Sequence, residues 1–169
     1  VAEIGDVRLA CQGMNRGAKV RNVTLSIRRG EILGLTGLVG SGRTETARLL
    51  FGADKPESGI ITLDGKVLHL SGPRDAIAAG ICLLTEDRKA EGLVLGQTIL
   101  ENFGLPNLKS FSRYNWIDRG RERSSMVDHG KKLQIKMTGP DQVVATLSGG
   151  NQQKVVLAKW LERNAEVLL

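Results

Sequence analysis

Residues 37–44 read Gly-Leu-Val-Gly-Ser-Gly-Arg-Thr, and this stretch decides the fold of the chain. The run before it, 31–36 (EILGLT), is short and apolar, which predicts a strand buried on both faces. The residues after it, through Leu49 and Leu50, follow a helical pattern that ends near Gly52. Glycines let successive backbone N–H groups turn toward an anion, and a helix N-terminus adds partial positive charge. We therefore predict a strand–loop–helix unit that binds phosphate.

The spacing of this stretch matches the P-loop pattern, with arginine at the position where lysine is usual. Arg43 is expected to lie against the β- and γ-phosphates of a nucleotide, and the hydroxyl of Thr44 to ligate magnesium. A guanidinium is planar and forked whereas a lysine ammonium is a compact point charge, so efficient hydrolysis is not expected at this loop. The alternative is a glycine-rich turn that binds nothing. The nucleotide-binding candidates are Gly37, Gly40, Ser41, Gly42, Arg43, Thr44 and Glu45.

A second glycine-rich helix start lies near the end of the chain. Residues 147–152 read Leu-Ser-Gly-Gly-Asn-Gln, followed by a helical pattern to about Arg163. A serine hydroxyl, two glycine N–H groups without side chains and a helix dipole predict another anion site. The alternative is an ordinary serine N-cap. The candidate residues are Leu147, Ser148, Gly149, Gly150, Asn151 and Gln152.

The remaining pattern predicts an α/β protein. Alternation predicts strands at 6–10 and 22–28, an Asp-Gly turn at 64–65 predicts a hairpin of strands 60–63 and 66–70, and apolar runs predict strands at 81–84 and 167–169. A short helix is predicted to begin at Pro73 and to stop at Gly80. Residues 97–137 are charged and helical in pattern, with a capping box at Thr98 and an N-cap at Asp118.

Composition narrows the class of protein. The 169 residues carry 24 basic and 18 acidic side chains, a net charge of +6 spread along the chain, which predicts a mainly solvated surface. No apolar run approaches the roughly 20 residues that cross a bilayer. Cys11 and Cys82 lie in apolar segments without any Cys/His cluster, so buried free thiols are expected.

Together the two glycine-rich motifs resemble the ATP-binding cassette, in which a P-loop, a helical subdomain and an LSGG signature follow one another. The resemblance covers essentially the whole chain. It implies a P-loop NTPase fold with an N-terminal antiparallel β-subdomain, a RecA-like core that is incomplete here and an inserted α-helical subdomain. The implied division is 1–86 for the β-subdomain and P-loop core, 87–147 for the helical subdomain and 148–169 for the signature helix and the next strand.

Finer matches at GLVGSGRTE, TEDRKAEGLVLGQTILEN (85–102) and LSGGNQQK resemble the second cassette of the two-cassette ATPases of ribose-, galactose-, xylose- and arabinose-type importers. Glu86 holds the place of the glutamine that senses nucleotide, magnesium and the membrane subunit in most cassettes. This resemblance makes Thr44 and Glu86 the implied magnesium ligands, and ATP with Mg²⁺ the implied ligands of the site. Most cassettes also stack adenine on an aromatic residue, which 11–21 lacks; Met14 and the stem of Arg16 are the open alternatives.

The resemblance also implies partners. Ser148, Gly149 and Gly150 would act in trans on ATP at the P-loop of a second cassette, in the same polypeptide or a dimer mate. Other implied partners are permease subunits and, indirectly, a periplasmic sugar-binding protein, with the ATPase peripheral on the cytoplasmic face of the bacterial inner membrane. The family's catalytic carboxylates follow the strand that begins at 167–169, so we expect the sequence to be truncated before them, without a catalytic residue and inactive as an isolated ATPase.

Two alternatives stay open from the sequence. The same motifs occur in ATPases of DNA repair or translation, although the NQQK and EDRK stretches argue against that class and against a nucleic-acid partner. The other alternative is a non-hydrolytic nucleotide-binding module.

Overall fold

The computed structural model describes residues 3–114 and 116–169, which form two compact units. The first unit comprises the chain up to Leu83 together with Glu166–Leu169, and the second unit comprises Leu84–Ala165. The three-part division predicted from the sequence stays a prediction.

A four-stranded antiparallel sheet dominates the first unit. Its strands are β1 (Val7–Arg16), β2 (Val20–Arg28), β3 (Ser58–Leu63) and β4 (Lys66–Val67), in the order β2-β1-β3-β4. β1 is longer than the alternation predicts because it continues through a register shift between Cys11 and Met14. The Asp-Gly hairpin turn is confirmed: Asp64 and Gly65 have φ values of 47° and 73°, as a turn with two left-handed residues requires.

The core of the first unit lies between this sheet and two helices, α1 (Arg43–Leu50) and α2 (Pro73–Ala78). The first unit also contains a parallel pair of strands, β5 (Ile81–Cys82) and β8 (Val167–Leu168). This pair confirms the short strands predicted at 81–84 and 167–169. Both cysteines are buried, and neither forms a disulfide within the described residues, as predicted. The buried apolar side chains of this core include Leu9, Met14, Val20, Leu49, Leu50, Ile61, Ala76 and Ile81.

The prediction of a buried strand at 31–36 is wrong. Residues 31–38 form neither helix nor strand, and the side chain of Ile32 is 99% exposed. A parallel strand exists only where a neighbouring strand supplies its hydrogen bonds, and no strand of the described residues pairs with this segment. The apolar side chains of 32–35 instead line an open groove with Leu25, Ile27, Leu50 and Leu169.

The second unit is mainly helical. After a π-helical turn (Arg88–Gly92) come α3 (Ile99–Gly104), α4 (Leu108–Phe111), α5 (Arg119–Lys132) and α6 (Gly149–Glu162), with short 3-10 turns at Leu105–Asn107 and Val144–Thr146. A small antiparallel hairpin, β6 (Ser112–Arg113) and β7 (Trp116–Ile117), interrupts the stretch predicted as helical. Tyr114 at its turn has a φ of 50°, a conformation that no helix contains. The sequence also predicts a loop or a helix-start anchor at Tyr114, Asn115 and Trp116, of which Asn115 lies outside the described residues.

The caps predicted in the second unit are confirmed. Thr98 and Glu101 form a capping box at the start of α3, in which each side chain bonds to the other residue's backbone N–H. The carboxylate of Asp118 accepts a hydrogen bond from the Arg121 amide at 2.9 Å at the start of α5. Both caps satisfy N–H groups that the helix itself leaves without acceptors.

No helix among the described residues is long and apolar enough to cross a membrane.

Candidate phosphate-binding sites

The loop at 37–42 is shaped by its backbone. Residues 37–41 are exposed, and Gly40 and Gly42 have φ values of 82° and 88°, where side chains other than glycine are strained. A bond from the Ser41 amide to the Leu38 carbonyl, at 3.1 Å, closes the turn. α1 begins directly after Gly42, so the exposed loop leads straight into the N-terminus of the helix. This arrangement fits a phosphate group, since a positive helix end follows an exposed glycine loop.

Gly42 is required for a second reason. A Cβ atom built on it would lie 2.2 Å from the carbonyl oxygen of Lys19, in the turn between β1 and β2. The backbone of that turn therefore packs directly against the base of the loop. Only glycine at position 42 permits both the left-handed conformation and this close approach.

Lys19 is a residue of this region that the sequence did not single out. Its Nζ donates to Oε1 of Glu45 at 2.6 Å in the first turn of α1. The Lys19 hydrogen bond holds the pKa of the Glu45 carboxyl below its usual range, with the first-turn backbone N–H contributing in the same direction. Glu45, a predicted nucleotide-binding residue, is thus an ionised carboxylate already paired with a cation.

Arg43 and Thr44 occupy the first turn of α1, and both are exposed. Thr46, two positions after Thr44, is buried, and its hydroxyl donates to the Gly42 carbonyl at 2.8 Å. The structure thus places the predicted cation and the predicted magnesium-binding hydroxyl on the accessible side of the helix start.

The second glycine-rich motif opens α6. Ser148 stands at the N-cap, but its side chain makes no capping bond to the helix; its Oγ instead accepts from Nδ2 of Asn151 at 3.0 Å. Ser148 and Gly150 are exposed, and a Cβ on Gly150 would meet nothing within 4 Å. The helix start is therefore open to an approaching ligand, which argues against the ordinary serine cap considered from the sequence.

Buried side chains and hydrogen bonds to neighbouring segments support this second motif. Leu147 and Gln152 are 7% and 4% exposed. Nε2 of Gln152 donates to the Val144 carbonyl at 3.2 Å, in the 3-10 turn that precedes the motif. Oδ1 of Asn151 accepts from the Lys136 amide at 2.9 Å. Of the six residues predicted here, Ser148, Gly149 and Gly150 form the open turn, while Leu147, Asn151 and Gln152 support it.

At the second site, Arg88 is a residue whose role the sequence did not indicate. Its Nε donates to Oε1 of Gln152 at 3.0 Å, and its guanidinium lies beside Gly149. The signal was present in the sequence as a cation in the polar EDRK stretch, but nothing local connects that stretch to a motif about sixty residues later.

Glu86 is exposed and belongs to the second unit, whereas Thr44 belongs to the first. Their pairing as magnesium ligands therefore stays a prediction. Of the two alternatives for adenine stacking, Met14 is excluded because its side chain is only 1% exposed. The side chain of Arg16 is 39% exposed and forms an ion pair with Asp54 at 3.1 Å.

Two open glycine-rich helix starts on an antiparallel sheet unit and a helical unit define an ATP-binding cassette. The family model described as ABC transporter matches residues 20–169, and the chain belongs to that family. An ATP-binding cassette solved as a dimer in a post-hydrolysis state with ADP and Pi shares the fold, with a TM-score of 0.77 at 22% identity over 95% of this chain and 72% of that one.

Within the family the chain is similar to sugar-import proteins. It is 49% identical over 165 residues to a putative ribose/galactose/methyl galactoside import ATP-binding protein of Rhizobium meliloti, covering 98% of this chain and 33% of the relative. It is 50% identical over 167 residues to a ribose import ATP-binding protein of Rubrobacter xylanophilus, covering 99% of this chain and 33% of that protein. The chain spans about a third of the length of these relatives.

Proposed function

We propose that this chain is a nucleotide-binding cassette of an ATPase that couples ATP binding and hydrolysis to monosaccharide import. The observation that carries the proposal is the pair of open helix starts, at Gly42 and Ser148, each with an exposed glycine two positions away, Gly40 and Gly150. The names of the relatives support the transport role, and they favour it over DNA repair, translation or a non-hydrolytic binding module.

At the first site, residues 37–44 bind the phosphates of ATP. The loop N–H groups and the positive end of α1 hold the phosphate oxygens, and the exposed Arg43 adds a full positive charge. Mg²⁺ would neutralise phosphate charge there, held by the Thr44 hydroxyl and the Glu86 carboxylate; a hydroxyl and a carboxylate are the oxygen ligands that this ion takes. The stem of Arg16, whose side chain is 39% exposed, is the remaining candidate to contact adenine.

At the second site, Ser148, Gly149 and Gly150 complete the ATP site formed by the P-loop of another cassette. In this arrangement the chain is the second cassette, and the site it completes in trans is the hydrolytic one. The site at Gly37–Thr44 hydrolyses slowly, because the planar guanidinium of Arg43 replaces a lysine and Glu86 carries a negative charge that repels a γ-phosphate.

The proposed partners follow from this role. They are the second cassette, the permease subunits and, through them, a periplasmic sugar-binding protein, which would place the ATPase at the cytoplasmic face of the bacterial inner membrane. The permease would dock near the segment from Glu86 to Asn102.

The test is a pair of variants in the full-length protein assembled with its permease. Ser148→Arg fills the open turn with a bulky side chain and should lower kcat for ATP about 100-fold or more, the scale for losing a preorganised anion-binding group. Arg43→Ala should lower kcat less than threefold while weakening nucleotide binding at its own site. Abolished ATPase activity in Arg43→Ala with full activity in Ser148→Arg would reverse the assignment of the two sites.

A further inference from the structure

The π-helical turn at Arg88–Gly92 is capped at its start and bonded to α6 at its end. At its start, the carboxylate of Asp87 accepts from the Ala90 amide at 3.1 Å. At its end, the carbonyl of buried Gly92 accepts from Nζ of Lys159 on α6. A Cβ on Gly92 would lie 3.3 Å from Val156 of the same helix, so the turn packs closely on α6. Arg88 therefore projects from a turn that packs on α6.

From this turn, the Arg88 side chain reaches the first turn of α6 at two points. Its Nε donates to Oε1 of Gln152 at 3.0 Å. One of its terminal nitrogens lies so close to Gly149 that a Cβ there would be only 2.5 Å away. Gly149 has no left-handed φ, so its backbone conformation does not demand glycine. The side chain of Arg88 occupies the space that a larger residue at 149 would need.

Gln152 connects Arg88 to the segment before the signature. Its amide is buried and bonded at both ends, to Arg88 through the oxygen and to the Val144 carbonyl through the nitrogen. Val144 begins the 3-10 turn that leads into Leu147 and Ser148. A continuous path of hydrogen bonds thus joins the turn at 88–92 to the segment that precedes the signature. A buried amide that loses either partner is left with an unsatisfied polar atom, which is costly.

We propose that Arg88 is a positioning residue that acts through Gln152 to hold the signature turn, Leu147–Gly150, open toward the nucleotide. The inference rests on the proposed role of the signature in trans. Glu86 lies two residues before Arg88 in the same segment, so a displacement of this segment at Glu86 moves the guanidinium and, with it, the support of the signature. Arg88 thereby links the segment proposed to dock the permease to the ATP site that this chain completes on another cassette.

The chemistry requires arginine at this position. A guanidinium presents N–H donors on both Nε and its terminal nitrogens in one plane, so it can bond Gln152 and cover Gly149 at once. A lysine ammonium has a single nitrogen at its end and cannot do both. Arg88→Lys therefore keeps the charge but loses the double contact.

The test is a double-mutant cycle in the full-length protein with its permease, in which ATPase rate is measured against ATP concentration for Arg88→Ala, Gln152→Ala and the double variant. Each single variant should lower kcat about tenfold, the factor expected for one buried hydrogen bond, with KM for ATP changed less than twofold. The double variant should fall no further than the singles, because both changes break the same path. Arg88→Lys should retain less than a third of the wild-type kcat.

Lys132→Ala is the control, because Lys132 is an exposed cation of the same unit that lies outside both the segment 86–102 and the signature; its kcat should equal that of the wild type. A wild-type kcat in Arg88→Ala, or losses that multiply in the double variant, would overturn the inference. A merely structural role would lower the unfolding midpoint of Arg88→Lys and leave the kcat of the remaining folded protein unchanged, which also overturns the inference.

Ser148→Arg separates the two proposals. If it abolishes ATPase activity while Arg88→Ala does not, only the role of Arg88 fails; if it has no effect, the signature assignment itself fails.

Discussion

The two glycine-rich helix starts reach similar openness by different means. At the start of α1 the backbone determines the shape of the loop: Gly40 and Gly42 take left-handed conformations, and Gly42 packs against the Lys19 carbonyl. At the start of α6 neither glycine is left-handed, and the turn is shaped by polar side chains behind it, Arg88, Asn151 and Gln152. Substituting a glycine should therefore disrupt the first site most, whereas substituting a supporting side chain should disrupt the second site most.

The largest effect is expected at Gly42. Gly42→Ala forces a side chain into a left-handed conformation and against the Lys19 carbonyl, so the free energy of unfolding should fall by at least about 2 kcal/mol, the upper part of the usual cost of that conformation alone. Gly40→Ala is the matched control, since its Cβ would meet nothing within 4 Å and only about 1 kcal/mol of backbone strain is expected. Urea unfolding followed by circular dichroism measures both; equal losses would contradict the role given to Lys19.

At the second site the sensitive position is Gln152. Gln152→Leu keeps the bulk but leaves the Val144 carbonyl and the Arg88 Nε without their partner, and should destabilise the second unit by about 1–3 kcal/mol. Both tryptophans, Trp116 and Trp160, lie in that unit, so urea unfolding followed by tryptophan fluorescence reports on it directly.

The neighbouring glutamine on the same helix supplies the control for that experiment. Gln153→Leu should shift the free energy of unfolding by no more than about 0.5 kcal/mol, as is usual away from buried polar contacts. If the two leucine variants unfold alike, the buried amide does not support the turn.

A smaller loss is expected at Asn151, which is only half-buried. Asn151→Ala removes the bonds to the Lys136 amide and to the Ser148 hydroxyl, and should lower stability by about 0.5–1.5 kcal/mol. Hydrogen exchange should speed up at the Lys136 amide in particular.

Gly150→Ala, where a methyl group meets open space, should instead leave stability unchanged or raise it by up to about 1 kcal/mol, because alanine is the better helix former.

The smallest effect concerns the ion pair beside the first site. Pairing with Lys19 lowers the pKa of Glu45 in the folded chain, so its stabilising contribution is present above the unfolded pKa near 4.5 and is lost as pH falls through the lower folded value. The stability difference between the wild type and Glu45→Gln should therefore be full at neutral pH, shrink below about 4.5 and weaken in high salt. Thermal unfolding across this pH range measures it, and a difference that grows on acidification would contradict the pairing.

Much of the fold could be predicted because its signals are local. The capping box at Thr98, the Asp118 cap and the Asp64-Gly65 turn each involve residues within four positions of one another, so the sequence contains both partners of each contact. The segment at 31–36 shows the limit of this approach, since apolar composition predicts a strand but cannot supply the strand beside it.

The sequence by itself determined the two glycine-rich motifs, the helices they open and the family resemblance that their order carries. Only the tertiary structure decided what holds each motif: the Lys19 carbonyl under Gly42, and the Arg88 guanidinium over Gly149 and Gln152. The reason is physical. A glycine's conformational freedom belongs to the residue itself, whereas Arg88 and Gln152 are 64 positions apart and become neighbours only when the turn at 88–92 packs on α6.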